Sequence, residues 1–162
     1  MDYIIELANI EDIDSILDLY SDRIKWFKDN NIKQWNRYLE NHPKEEFMEA
    51  IENKNYYIVK QGNELVAGFE LTTNSKEWND DITLAYYIYK VVTKVGHKNI
   101  GKILINKCKE IAKRDGKKYL RLECLKSNKK LNDIYEGHNF KLIRYGENER
   151  YSFSLMELKI DE

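Results

Sequence analysis

The feature that most constrains this chain is the stretch from residue 84 to residue 125. A Tyr-, Ile- and Val-rich run over Leu84–Val92 passes through a loop with Gly96 and Gly101 into the clearest helix of the sequence, residues 100–114. Ile100, Leu104, Cys108, Ile111 and Ala112 recur at helical spacing on one face, while Lys102, Asn106, Lys109, Lys113 and Arg114 lie mainly on the other. Asp115-Gly116 ends it, with Gly116 suited to a left-handed cap, and Tyr119–Leu125 reads as a strand. A β-α-β unit of this kind must be covered on its apolar faces, which selects an α/β architecture.

The remaining elements fit around that unit. Residues 3–7 read as a strand, and Asn9 caps a helical region of one or two helices over roughly 10–29. A break at Asp29–Asn31 and a short helix over about 43–52, opened by Pro43, follow. Strands Tyr56–Lys60 and Leu65–Leu71 flank a hairpin turn at Gln61-Gly62-Asn63-Glu64, and Thr72–Asp81 is a polar loop. Asn128–His138 is a helix, and strands at about 141–145 and 151–160 close the chain around a turn at Gly146–Glu149. The order β-α-α-β-β-β-α-β-α-β-β predicts a mixed α/β sheet with helices on both faces.

Composition excludes several classes. A chain of 162 residues with one proline and no Gly/Ser-rich linker is expected to be a single domain over 1–162. Lys and Arg total 27 against 28 for Asp and Glu, so no basic surface announces a nucleic-acid partner. No apolar run is long enough for a bilayer span and the acidic start is wrong for a secretory signal, so a cytoplasmic, membrane-free protein is expected. Cys108 and Cys124 sit inside apolar patterns, as buried reduced thiols do. Cys124 shares a strand face with Leu120 and Leu122 and reads as core rather than nucleophile. His42 and His138 lack partners at ligand spacing, so no metal is expected.

The chemistry is concentrated in YKVVTKVGHKNIGKILI. A strand–loop–helix leaves unpaired backbone N–H groups and partial positive charge at the helix mouth, which suits a pyrophosphate. The spacing matches neither a P-loop nor a dinucleotide fingerprint. The segment resembles the phosphate loop of the GNAT superfamily of N-acetyltransferases, Gln/Arg-x-x-Gly-x-Gly/Ala, laid on Gly96-His97-Lys98-Asn99-Ile100-Gly101. Two positions depart from it: Gly96 stands for the basic or amide residue and Asn99 for the first glycine, and Asn tolerates positive φ better than other side chains. Downstream, LRLECLKSNKKLNDIYEGHNF is similar to the second family signature, with Asn128 and Tyr135 in place and Asn139-Phe140 replacing Gly-Phe.

The resemblance implies a mixed, mostly antiparallel sheet of about seven strands. It implies acetyl-CoA as cosubstrate, its pantetheine arm lying between splayed fourth and fifth strands. Tyr89, Lys90 and Val91 would pair with that arm. The N–H groups of His97–Lys102 would hold the pyrophosphate, with Lys98 or Lys102 meeting the extra phosphate, and Asn128 would complete the cofactor residues. A backbone N–H near Val91 would face the thioester oxygen. Tyr135 takes the place of the general acid, and Glu123 that of a base in one subgroup. Glu123 has the competing reading of a partner for Arg121, and Glu70 or a water held by Tyr87 or Tyr89 are its rivals. Gln34 and Trp35, more than Trp26, are the acceptor-side candidates. The acceptor is a small-molecule amine or a peptide N-terminus, and homodimers are common in proteins of this kind. The alternatives are an inactive acyl-CoA-binding sensor, supported by the two Gly-to-Asn departures, and a nucleotide-binding regulatory domain.

Overall fold

The computed structural model describes residues 2–31, 43–73, 75, 78, 84–97, 99–149 and 151–160. In chain order the elements are β1 (Tyr3–Leu7), a 3-10 turn (Ile10–Asp12), α1 (Ile13–Asp29), α2 (Pro43–Glu52), β2 (Tyr56–Gln61), β3 (Glu64–Thr72), β4 (Ala85–Thr93), α3 (Ile100–Arg114), β5 (Tyr119–Leu125), α4 (Lys129–Gly137), β6 (Lys141–Glu147) and β7 (Ser152–Lys159). The seven strands follow the order β1-β2-β3-β4-β5-β7-β6. The pairs β1–β2, β2–β3, β5–β7 and β6–β7 are antiparallel, and β4–β5 is parallel. This is the mixed, mostly antiparallel class expected, with the 3-10 turn as the one addition to the element order among the described residues.

Two compact units make up the chain, Met1–Glu70 with Lys90–Leu104, and Leu71–Tyr89 with Ile105–Glu162. In the first unit, Asn9 accepts from the Glu11 amide at 3.0 Å while Asp12 accepts from the Asn9 amide at 2.9 Å. Two otherwise orphaned donors are satisfied and the chain is turned into α1. Ile13, Ile16, Leu19 and Tyr20 of α1 then pack with Phe47, Ala50 and Ile51 of α2 and with Tyr56, Ile58 and Val92 of the strands. Gly62, at φ 64, supplies the left-handed residue of the β2–β3 hairpin.

In the second unit the predicted apolar face of α3 is buried: Cys108, Ile111 and Ala112 are at most 3% exposed. Full burial of an aliphatic side chain of this size contributes about 1.5–3 kcal/mol. Gly116, at φ 73, closes α3: its N–H donates to Lys113 O and that of Lys117 to Ala112 O, covering the last carbonyls. Leu120, Leu122 and Cys124 of β5 are buried on one face of the strand, as alternation requires. Among the described residues, no helix is long and apolar enough to cross a membrane.

Candidate active site

The expected site residues fall in both units. In the first, β4 leads into the loop before α3. Lys94 N donates to Val66 O at 2.8 Å, which ties the start of the loop to β3, and His97 N donates to Lys94 O at 3.3 Å. Gly96 and Asn99 are exposed and left-handed, at φ 90 and 66. Asn99 thus adopts the backbone of the glycine it replaces. Its carbonyl accepts from Ile103 N at 3.4 Å, the first turn of α3. Ile100 is 1% exposed and anchors that turn, whereas Gly101 and Lys102 face solvent. A Cβ built on Gly101 meets nothing within 4 Å, and its φ is not left-handed. Neither packing nor backbone geometry demands glycine there, and the open surface lies over the positive end of a 15-residue helix. The residues present therefore fit a diphosphate. Lys98 lies outside the described residues, as do Gln34 and Trp35.

Lys90 is left-handed at φ 52 in the middle of β4, where neighbouring residues are extended. Its ammonium meets Glu70 Oε1 at 3.0 Å, both side chains being less than a fifth exposed. The Tyr56 hydroxyl donates to its carbonyl at 3.2 Å. Arg23, which the sequence reading did not single out, donates through Nη2 and Nε to Thr93 O at 2.8 and 3.1 Å and through Nη2 to Thr93 Oγ1 at 2.9 Å. That grip holds the last residue of β4 against α1.

In the second unit, the recorded parallel pairing runs from Ala85↔Tyr119 to Ile88↔Leu122, while β4 continues to Thr93 and β5 to Leu125. Tyr87 is buried and its hydroxyl accepts from Arg121 Nη1 at 2.9 Å; Tyr89 donates to Ser75 Oγ at 2.7 Å. Arg121, 4% exposed, pairs with Glu157 at 2.7 Å and lies 4.4 Å from the Trp78 ring centroid. Arg121 therefore forms an ion pair with its cross-strand neighbour on β7, where the sequence reading had offered Glu123. The Oε2 atom of Glu123 is sealed from solvent.

Asn128 is the N-cap of α4, its side chain accepting from Leu131 N at 3.1 Å. Asn132, unnoticed in the sequence, donates to Leu125 O and Asn128 O and ties the mouth of α4 to the end of β5. The other end of α4 fixes Tyr135. Asn139, left-handed at φ 73, donates to Glu136 O, and Phe140 N donates to Tyr135 O at 3.1 Å. The Phe140 ring meets the Tyr135 ring edge-on at 5.8 Å. This is a Schellman closure with its apolar contact, built with asparagine in place of glycine. Tyr135 is half-buried, and desolvation of its phenol raises it above its ordinary range, with Cys124 and Cys108 adding to the rise.

Burial likewise raises both thiols, Cys124 to about 11 with Glu123 contributing. At pH 8 only about a thousandth of such a thiol is ionised, against about a quarter for an ordinary one. Iodoacetamide at pH 8 is expected to leave both cysteines unmodified in the native protein and to label both in urea. Rapid native labelling, read by mass spectrometry, would contradict their burial. A groove of 780 Å³ lined by Lys109, Lys113, Lys141 and Lys159 holds none of the expected site residues.

The model of the acetyltransferase (GNAT) family matches residues 17–140. The chain belongs to that family. Among solved structures, a GNAT-family acetyltransferase from Listeria monocytogenes aligns with a TM-score of 0.79 at 20% identity, over 97% of this chain and 94% of that one. The PaiA N-acetyltransferase of Thermoplasma acidophilum, solved in complex with coenzyme A, gives 0.73 at 22% over 98% and 99%. YncA from Salmonella typhimurium, solved with its cofactor acetyl-CoA, gives 0.73 at 14% over 100% and 96%. At these identities the likeness is one of GNAT fold. No curated protein matches the chain.

Proposed function

We propose that this GNAT protein moves the acetyl group of acetyl-CoA to a primary amine, of a small molecule or a peptide N-terminus, by direct attack in a ternary complex. The observation that carries this reading is the mouth of α3, where Gly101 is exposed and an added Cβ meets no other side chain or distant backbone among the described residues. Backbone amides within residues 98–102 hold the diphosphate end of the cosubstrate, the His97 amide being taken by Lys94 O, and Lys98, Lys102 or a nearby lysine meets the extra phosphate. Backbone groups of Tyr89, Lys90 and Val91, beyond the last recorded β4–β5 pair, hold its pantetheine arm in the manner of an added strand. Coenzyme A and acetyl-CoA in the PaiA and YncA structures support the same assignment here.

Within that complex the Val91 amide stabilises charge developing on the thioester oxygen. Tyr135 keeps its proton because burial disfavours the phenolate, and delivers it to the departing thiolate. Removal of a proton from the incoming ammonium falls to Glu123, which stands where the family resemblance puts a base; Glu70 is held by Lys90. The sensor alternative rested on the asparagines at 99 and 139. Both keep the left-handed backbone of a glycine, which favours the enzyme reading.

Thermal melting with and without acetyl-CoA tests the cosubstrate. At a hundred times the dissociation constant the expected gain is about 2.7 kcal/mol. An unchanged melting temperature at millimolar acetyl-CoA would remove the assignment.

A further inference from the structure

Lys90 is the one residue of β4 with positive φ, and it is neither Gly nor Asn. A left-handed lysine costs about 1–2 kcal/mol and persists only where its surroundings over-determine it. Here three features converge on it. Tyr56, 0% exposed on β2, donates its hydroxyl to the Lys90 carbonyl at 3.2 Å. Gly68 on β3 makes room for that hydroxyl, since a Cβ there would lie 2.5 Å from the Tyr56 oxygen and 2.8 Å from the ring. Glu70, two residues along β3, holds the Lys90 ammonium at 3.0 Å. The carbonyl and the side chain of a single strained residue are thus gripped from two neighbouring strands.

We infer that Tyr56, seated by Gly68, is a positioning residue that holds Lys90 left-handed, so that the next amide, Val91 N–H, points at the acyl oxygen of the cosubstrate instead of continuing the regular alternation of β4. The inference rests on the acetyl-CoA reading and deepens it. Tyr56 touches no reacting atom; it acts through the Lys90 carbonyl. A left-handed residue inside a strand reorients the peptide groups on either side of it, as a bulge does. Without the hydroxyl, the steric preference of a lysine draws the backbone back towards the extended region. The diphosphate grip, on the loop and α3, does not depend on that peptide.

The prediction therefore separates the acyl group from the rest of the cosubstrate. Tyr56→Phe removes one oxygen from a ring packed edge-on against Phe47 at 5.4 Å, and Gly68 leaves the phenyl its space. Isothermal titration calorimetry with coenzyme A and with acetyl-CoA gives two dissociation constants for each protein. In Tyr56→Phe, acetyl-CoA affinity is expected to fall about three- to tenfold further than coenzyme A affinity, the range of one hydrogen bond to the acyl oxygen beyond what the shared pantetheine arm loses. Lys90→Asn supplies the control, because asparagine accepts this backbone unaided, as Asn99 and Asn139 do in this chain. In the Lys90→Asn background the same Tyr56→Phe change is expected to cost less than twofold in either ligand.

A loss for acetyl-CoA no greater than that for coenzyme A, or no loss for either, would overturn the positioning role, as would an undiminished effect in the Lys90→Asn background. A wild-type protein that binds neither ligand removes the cosubstrate assignment itself, and this inference with it.

Discussion

Tyr135→Phe is expected to lower turnover by about a hundredfold, the lower end of what a positioned general acid contributes, while acetyl-CoA affinity stays within about twofold. The substitution is structurally mild. Phenylalanine keeps the edge-on contact with Phe140, and the Schellman closure that fixes this turn uses backbone groups of Tyr135, Glu136, Asn139 and Phe140. The loss therefore reports on the hydroxyl. Thiol release measured against a panel of primary amines reads turnover, calorimetry reads affinity, and a melting curve checks the fold. Turnover equal to wild type would clear Tyr135 of the role.

The sign of its pH dependence follows from the same burial. A raised phenol remains protonated above its ordinary value of about 10, so the acid is expected to stay in its protonated form across pH 6–10. Stability runs in the same direction. The folded chain retains the protons of Tyr135, Cys108 and Cys124 where the unfolded chain releases them, so their contribution is complete below about pH 8.5 and is lost as pH rises beyond it.

Gly101→Leu is expected to abolish measurable acetyl-CoA binding, a loss of about a hundredfold or more, while leaving the melting temperature equal or slightly higher. Glycine is the poorest helix former after proline, by about 1 kcal/mol relative to alanine, and among the described residues nothing outside the local chain lies within 4 Å of an added Cβ at this position. Packing among the described residues does not call for glycine at 101, whereas a ligand approaching the backbone would. Gly68 is the contrast, since there the clash is internal, with Tyr56, and the cost of substitution falls on folding. Calorimetry and melting on Gly101→Leu decide the matter. Retained affinity would mean that the cosubstrate phosphates lie elsewhere.

Most elements were legible because their signals are local. The period of α3, its glycine cap at 116, the Asn9 and Asn128 caps and the hairpin at Gly62 each depend on residues within a few positions of one another. The reading of Asn99 and Asn139 as glycine substitutes is local in the same way, since it concerns one backbone dihedral and the side chain that tolerates it. Both lie in the left-handed region. The two signatures that mark the family are short segments for the same reason.

What the sequence by itself determined was thus the element order, the buried faces of α3 and β5, and the loop and helix caps that form the candidate site. Only tertiary structure decided that Lys90 is left-handed, that Tyr56 and Gly68 hold it, that Arg121 pairs with Glu157, and that Arg23 grips Thr93. The partners in these contacts stand 34, 36 and 70 positions apart for Tyr56–Lys90, Arg121–Glu157 and Arg23–Thr93. Hydrophobic period and capping chemistry act over one or two turns of chain. A hydrogen bond between distant strands is set by register and packing, which no window of sequence contains.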